Sequence, residues 1–480
     1  MVPSASTSLP IQPNDLARTL GHLRESGWAS VPVAQELRRN AAARIAAGVP
    51  LVEGVIGFDD TVMPQLENAL LAGHDVILLG ERGQAKTRLI RSLVGLLDEW
   101  LPIVEGSEIN DDPYEPTSRF ARHRVADEGD DTPIVWVHRS DRFAEKLATP
   151  DTSIADLIGE VDPIKVAEGR YLSDELTLHY GLVPRANRGI FAINELPDLA
   201  ERIQVGLLNV LEERDVQIRG HRVRLPLDVV LLATANPEDY TNRGRIITPL
   251  KDRFGAQIRT HYPREVAAEV EIMNAEASLP DDLPVTVPDY LQEVLAEMSQ
   301  LARRSPHLNQ RSGVSVRLTI ANFETVVANA LRRALKLGEP VVVPRVSDLG
   351  AVGPSTQGKI EVEAMEEGRE GEVLADLVAA AVLAVFRRRV VLEDPGGVIS
   401  SFDESVVVHT GDDLPAASYL SVLADLPALE PPTRALAGAA ADESPALLAA
   451  ALEFLLEGLH LTKRLNKDAS GSQALYRRRR

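Results

Sequence analysis

The chain has 480 residues, 44% of them hydrophobic and 25% charged, which is enough for two to four domains that each bury a core. It has no cysteine, and this excludes disulfides, thiolate metal sites and a cysteine nucleophile. A net charge of −20 argues against a general nucleic-acid binder, because such proteins cluster Lys and Arg to neutralise phosphates.

The N-terminal segment, residues 1–50, is predicted to be helical. Residues 12–48 alternate apolar and charged positions at helical spacing, in "NDLARTLGHLRES" and "VAQELRRNAAARIAAG". The first twenty residues have no basic region followed by an apolar core, and no later stretch approaches a membrane-length apolar run. The sequence therefore favours a cytoplasmic protein without a membrane segment.

Residues 51–265 show the pattern of a wound α/β domain, with short apolar runs separated by helical segments and Gly, Pro and Asp. We expect a parallel sheet of five strands. The runs predicted as its strands are "DVILLG", "LPIVEG", "PIVWVH", "GIFAIN" and "VVLLATAN".

The remaining chain is predicted to be mostly helical. Residues 266–340 hold two helical segments, and residues 341–480 begin with a loop-rich passage before further helices. The Ala/Leu-rich stretch "RALAGAAADESPALLAAALEFLLEGLHL" is interpreted as an amphipathic helix on a helical bundle. The basic run Arg477–Arg480 is interpreted as a solvated or disordered tail, with a docking tag for an acidic partner as the alternative.

The stretch "VILLGERGQAKTRL" resembles a phosphate-binding loop, G-x-x-x-x-G-K-[ST], between a strand and a helix. Ala85 replaces the last glycine, which the loop can accept if Ala85 keeps a negative φ. Lys86 would reach the β and γ phosphate oxygens, and the Thr87 hydroxyl would bind Mg²⁺. The residues assigned to nucleotide binding here are Gly80, Glu81, Arg82, Gly83, Gln84, Ala85, Lys86, Thr87 and Arg88.

Two more strand ends carry polar residues suited to ATP hydrolysis. "GIFAIN" ends at Asn194-Glu195, where phosphate-loop ATPases normally carry Asp-Glu. Asn194 keeps an oxygen for Mg²⁺ but lacks the charge, while Glu195 would polarise the attacking water. The next buried strand, "VVLLATAN", ends at Asn236, whose amide could hold that water.

Two arginines complete the candidate set. Arg253, in "ITPLKDRFG", is predicted to act on the nucleotide of a neighbouring subunit as an arginine finger, and Arg317 opens a helix after the α/β core. Each position alone is a weak signal, because an arginine in a turn is usually a surface ion pair. Their order and spacing after the loop strengthen the prediction.

Taken together, these motifs resemble AAA+ ATPases of the magnesium chelatase I-subunit and MoxR group. Further stretches similar to that group are "LPIVEGSEINDDPYEP", "IADLIGEVDPIKVAEGR", "HYGLVPRANRGIFAINELPDL" and "LLNVLEERDVQIRGHRVRLP". The resemblance covers roughly residues 51–265, with Arg317 at the sensor 2 position of a helical lid at 266–340. It implies that Val55, Ile56 and Gly57 lie beside the adenine.

The resemblance also implies a homo-oligomeric ring, commonly a hexamer, with ATP and Mg²⁺ between subunits and a von Willebrand A domain protein as partner. The leading hypothesis is a ring ATPase that remodels or loads a partner protein, perhaps inserting a metal or cofactor. The alternatives are the motor subunit of a magnesium chelatase and a nucleotide-binding scaffold with little hydrolysis, which Asn194 favours. The G-A-F-T-G-A loop of related transcription activators is absent from the sequence.

Ala85 and Asn194 are departures from the group's pattern that bear on the rate of hydrolysis. Because Asn194 removes a full charge beside a divalent ion, we expect Asn194→Asp to lower the Mg²⁺ requirement and raise basal turnover. Ala85→Gly is expected to change little.

Overall fold

The computed structural model of the chain describes residues 16–161, 177–212, 215–217, 224–236, 245–310, 313–366, 368–392, 394–402, 406–439, 444–471 and 473–479. They form two compact units, the first ending at His261 and the second beginning at Tyr262. The finer division at residues 50, 265 and 340 stays a prediction.

The first unit contains helices and strands in alternation. Its described strands are β1 (Val76–Leu79), β2 (Trp100–Val104), β3 (Ile134–His138), β4 (Phe143–Leu147), β5 (Gly159–Val161), β6 (Leu178–Tyr180), β7 (Gly189–Asn194), β8 (Asp215–Gln217), β9 (Arg224–Pro226), β10 (Val229–Ala235) and β11 (Ala256–Arg259). Its described α-helices are Leu20–Glu25, Val33–Ala46, Val62–Leu71, Lys86–Ser92, Arg119–Glu128, Ile154–Leu157, Leu182–Arg185, Glu201–Glu212 and Thr248–Arg253.

A five-stranded parallel sheet forms the centre of this unit, in the order β11-β1-β10-β7-β4. Successive side chains of β1, β7 and β10 point to opposite faces and are buried on both. Ile77 belongs to one core and Val76 and Leu78 to the other. Apolar residues on both faces are typical of parallel strands covered on both sides, which confirms the predicted fold class.

The identity of the five strands differs from the prediction at two places. β2 and β3, predicted as sheet members, instead pair antiparallel with each other in a separate two-stranded sheet. Their places in the central sheet are taken by β4 and β11 at its two edges. Both edge strands carry charged side chains, such as Glu145 and Arg259. Because these charges interrupt the apolar run, the sequence pattern does not indicate either strand.

The second unit is mostly helical. Its described α-helices are Val266–Glu276, Asp289–Ala302, Arg317–Leu337, Gly353–Thr356, Glu370–Arg389, Pro395–Ser400, Ser418–Asp425, Glu430–Ala437 and Pro445–Leu461. It also holds an antiparallel sheet in the order β12-β14-β13, formed by β12 (Val407–Thr410), β13 (Leu465–Ser470) and β14 (Gln473–Arg478).

Two predictions for the second unit are wrong in part. The Ala/Leu-rich helix Pro445–Leu461 is buried on all sides rather than amphipathic, and even Glu453 and Glu457 are inside. Arg477 and Arg478 of the basic run belong to β14 and so are not a disordered tail, although both are exposed to solvent as the solvated alternative requires. Arg480 lies outside the described residues. Within the described part of the chain, no helix is both long and apolar enough to cross a membrane.

Candidate functional site

The phosphate loop, residues 80–87, begins where β1 ends and continues into the helix Lys86–Ser92. A Cβ on Gly80 would lie 2.0 Å from the Thr260 hydroxyl oxygen and 2.3 Å from Gln84 Oε1, so any larger residue would displace these two buried side chains. The Thr260 hydroxyl donates to Gln84 Oε1 at 2.8 Å, which fixes the buried Gln84 side chain against the residue after β11. Gly83 has a φ of 75°, a left-handed conformation that suits glycine.

Ala85 does not have the negative φ that the sequence analysis required of it. Its φ is 54° and its ψ is 15°, in the left-handed region. The loop therefore keeps the backbone that a glycine would adopt and accepts the strain of an L-residue, of order 1–2 kcal/mol. Ala85→Gly would relieve that strain. It would also remove a methyl group packed on the core and raise the conformational entropy of the unfolded chain. Because these effects oppose each other, a small net change in the free energy of unfolding is expected.

A β-branched residue at Ala85 gives a sharper test of this backbone. Ala85→Val is expected to lower the free energy of unfolding by about 1–2 kcal/mol, because the left-handed region is least tolerant of branching at Cβ. The matched control is Ala47→Val, since Ala47 is exposed and has a φ of −83°. Denaturant unfolding of both variants measures the difference, and equal losses would show that Ala85 is not left-handed.

Lys86, Asn236 and Glu195 are brought together by the carboxyl ends of β1, β10 and β7. Lys86 is 6% exposed, and its Nζ donates to Asn236 Oδ1 at 2.7 Å, to the Glu81 carbonyl at 2.7 Å and to the Gly80 carbonyl. Asn236 Nδ2 donates to Glu195 Oε2. The Asn236 amide thus connects the Lys86 ammonium to the Glu195 carboxylate, which is predicted to polarise the attacking water.

Glu195 has a backbone conformation that turns it out of the strand. Its φ is 55°, directly after the last residue of β7, and its N–H donates to the Thr234 hydroxyl at 3.0 Å. Non-glycine residues at positive φ persist where the surrounding structure enforces them, often at functional sites. Here β7 and β10 hold the turn.

Thr87 and Asn194, the two residues assigned to Mg²⁺, are in contact. Asn194 is 7% exposed, and its Oδ1 accepts from the Thr87 and Thr234 hydroxyls, each at 3.3 Å. A hydroxyl and an amide oxygen are neutral, hard oxygen donors of the kind that Mg²⁺ takes together with water and nucleotide phosphates. The donor set therefore fits Mg²⁺, although neither side chain is charged.

Glu145 is a residue of this site that the sequence analysis missed. It lies in β4, and its Oε1 accepts from Asn194 Nδ2, while its Oε2 accepts from Arg91 Nε at 2.7 Å. The hydrogen bond and charge of Glu145 raise the pKa of Arg91. "FAEKL" has no long apolar run, so the strand that carries Glu145 gave no signal that would place it beside Asn194.

The predicted adenine segment lies near the helix that follows the loop. Val55 packs on the core beneath β1, and Gly57 has a φ of 82°. A Cβ on Gly54 would lie 2.7 Å from the Arg88 guanidinium, so this arginine reaches the segment. Arg82 is exposed on the loop. The assignment of Val55, Ile56 and Gly57 to adenine binding stays a prediction.

The two arginines predicted to complete the site lie on different units. Arg253 ends the helix Thr248–Arg253, and its guanidinium donates to the Pro249 carbonyl at 3.0 Å. Arg317 begins the helix Arg317–Leu337 in the second unit and is exposed. Their roles as finger and sensor 2 stay predictions.

Comparisons with known proteins match this chain to one family model and to magnesium-chelatase subunits. A family described as the Sigma-54 interaction domain matches residues 167–253. The magnesium-chelatase 38 kDa subunit of Cereibacter sphaeroides is 30% identical over 210 residues, 41% of this chain and 54% of that protein. Magnesium-chelatase subunit ChlI of Anabaena variabilis is 28% identical over 226 residues, 46% of this chain and 62% of that protein.

Among solved structures, a model of the complex between magnesium chelatase subunits BchI and BchD, based on cryo-EM, has a chain that is 21% identical. The match covers 67% of this chain and 97% of that chain, with a TM-score of 0.36. The chain spans 54% and 62% of the length of the two curated relatives named above.

The parallel sheet, the phosphate loop after β1 and the polar residues after β7 and β10 define the core of an AAA+ ATPase, a class that uses ATP with Mg²⁺. Within that class, the chain is similar to the magnesium-chelatase subunits named above.

Proposed function

We propose that the first unit binds ATP with Mg²⁺ at the phosphate loop and hydrolyses the γ-phosphate. The observation that carries this proposal is the hydrogen-bonded series Lys86–Asn236–Glu195, which joins the loop to the carboxylate across the ends of three parallel strands. Ligands of open parallel sheets bind at this edge of the sheet.

Each side chain of the series has a distinct role in this proposal. Phosphate oxygens would replace the Gly80 and Glu81 carbonyls as partners of the Lys86 ammonium. The Asn236 amide, which already contacts both Lys86 and Glu195, would place a water between the γ-phosphate and the Glu195 carboxylate. That carboxylate would polarise the water for attack.

Mg²⁺, when bound, would neutralise charge on the β and γ phosphates, with Thr87 and Asn194 as its protein contacts. Because Asn194 is neutral, the proposal includes a higher Mg²⁺ requirement and slower basal hydrolysis than a carboxylate at this position would give.

We further propose that the chain assembles into a ring, in which Arg253 of one subunit completes the site of the next and Arg317 contacts the nucleotide of its own subunit. The ring would remodel or load a partner protein, with a von Willebrand A domain protein as the favoured partner. The likeness to magnesium chelatase subunits supports this part of the proposal, and it equally supports the alternative of a chelatase motor. The neutral Asn194 favours a third candidate, a scaffold that binds ATP and hardly hydrolyses it.

Lys86→Ala tests the nucleotide site. Loss of a charged donor to phosphate is expected to weaken ATP binding by about 10- to 100-fold. Titration calorimetry with ATP and Mg²⁺ measures the affinity, with Lys336→Ala as a control because Lys336 is an exposed lysine of the second unit. Unchanged affinity in Lys86→Ala would place the nucleotide elsewhere.

A further inference from the structure

Glu145 brings a carboxylate to the side of Asn194 that faces away from Thr87. β4 runs parallel to β7 with Glu145 opposite Ala192 and Leu147 opposite Asn194. This register lets the Glu145 side chain reach the Asn194 amide, and Asn194 Nδ2 donates to Glu145 Oε1. The Glu145 side chain is 18% exposed, so the contact is largely sheltered from water.

The contact fixes which way the Asn194 amide points. A carboxylate only accepts hydrogen bonds, so the amide must present its NH₂ to Glu145. Its Oδ1 then faces the hydroxyls of Thr87 and Thr234, which both donate to it. The oxygen is therefore held on the side of Thr87, the other oxygen proposed to contact Mg²⁺.

Glu145 also restores a negative charge near a site that Asn194 leaves neutral. The partner of this charge is Arg91, whose Nε donates to Oε2 at 2.7 Å and whose Nη2 donates to Oε1 at 3.2 Å. The Arg91 side chain is 63% exposed, so its guanidinium offsets the Glu145 charge from the solvent side. The Lys86 ammonium is directed instead to two loop carbonyls and Asn236. Oε1 of Glu145 accepts from both Arg91 Nη2 and Asn194 Nδ2, so the carboxylate touches Asn194 directly.

We propose that Glu145 is a positioning residue for Mg²⁺: it orients the Asn194 amide oxygen and supplies, from the neighbouring strand, the negative charge that Asn194 lacks. This inference rests on the proposed binding of ATP with Mg²⁺ at the loop. Groups that orient a metal contact through a hydrogen bond typically change metal affinity by 10- to 100-fold when altered.

Glu145→Gln tests the charge, because Gln keeps the size of the side chain and an oxygen that can accept from Asn194. The Mg²⁺ concentration that gives half-maximal enhancement of ATP binding is expected to rise about 10-fold. ATP binding in EDTA is expected to be no weaker than in the wild type, since no charge attractive to phosphate is lost. Calorimetric titrations of ATP in EDTA and at a series of Mg²⁺ concentrations measure both quantities without requiring hydrolysis.

Two further variants separate the charge from the ion pair. Arg91→Gln breaks the pair but keeps the Glu145 carboxylate, so its Mg²⁺ requirement should equal or fall below that of the wild type. The double variant Glu145→Gln/Asn194→Asp moves the charge from β4 to β7 and should recover the affinity for Mg²⁺ that Glu145→Gln loses.

An unchanged Mg²⁺ requirement in Glu145→Gln, with ATP still bound, overturns the inference and leaves the proposed function standing. Weaker ATP binding in EDTA would also overturn it, since that result indicates general damage to the site. If the wild type binds no ATP with or without Mg²⁺, the proposed function fails and the inference fails with it.

Discussion

Replacing Glu195 with Gln is expected to lower steady-state ATP turnover roughly 10³-fold, the middle of the range for a group that activates a nucleophile. The Gln side chain keeps an oxygen that can accept from Asn236 Nδ2, so the connection to Lys86 should persist. What is lost is the charge that polarises the attacking water. ATP affinity should therefore remain close to that of the wild type.

Phosphate release and calorimetry on the same preparation measure the two quantities. Glu201→Gln is the control, because Glu201 is an exposed glutamate at the start of the helix Glu201–Glu212. Turnover that survives in Glu195→Gln would remove Glu195 from its proposed role. A wild type that binds ATP with no more turnover than Glu195→Gln would favour the scaffold.

Arg253→Ala is expected to lower turnover by about 10³-fold or more, the effect of removing an arginine finger in phosphoryl transfer. The residue ends a short helix and is partly exposed. Lys251→Ala, on the same helix, is the matched control for a lost surface charge.

Mixing the two inactive variants tests whether the site is completed between subunits. In a ring that contains both Arg253→Ala and Glu195→Gln subunits, some interfaces combine an intact Glu195 with an intact Arg253. Those interfaces should recover part of the turnover that each variant lacks alone. No recovery in rings shown to be mixed would contradict the proposed geometry.

The sequence predicted the sheet correctly as a class but only three of its strands. β1, β7 and β10 are apolar on both faces and could be recognised, since both faces are buried. β2 and β3 are similarly rich in apolar residues, yet they pair with each other outside the central sheet. Apolar content indicates that a segment is a strand but not which strand it pairs with. The polar edge strands β4 and β11 gave no comparable signal.

The candidate site was predicted where the spacing of residues along the chain determines it. Lys86 and Thr87 follow β1, and Glu195 and Asn236 follow β7 and β10, so parallel strands had to bring them to one edge. The contact of Glu145 with Asn194 could not be predicted, because it depends on the register between β4 and β7. The positive φ of Ala85 was also missed, since residue type alone favours the opposite conformation.

The most direct test of the central claim is a crystal structure of Glu195→Gln with ATP and Mg²⁺, in which slow hydrolysis should preserve the triphosphate. The account predicts phosphates over the loop, with the Lys86 ammonium on the β and γ oxygens and Mg²⁺ beside Thr87 and Asn194. ATP ordered at another site, or a loop without nucleotide at saturating ATP, would contradict it.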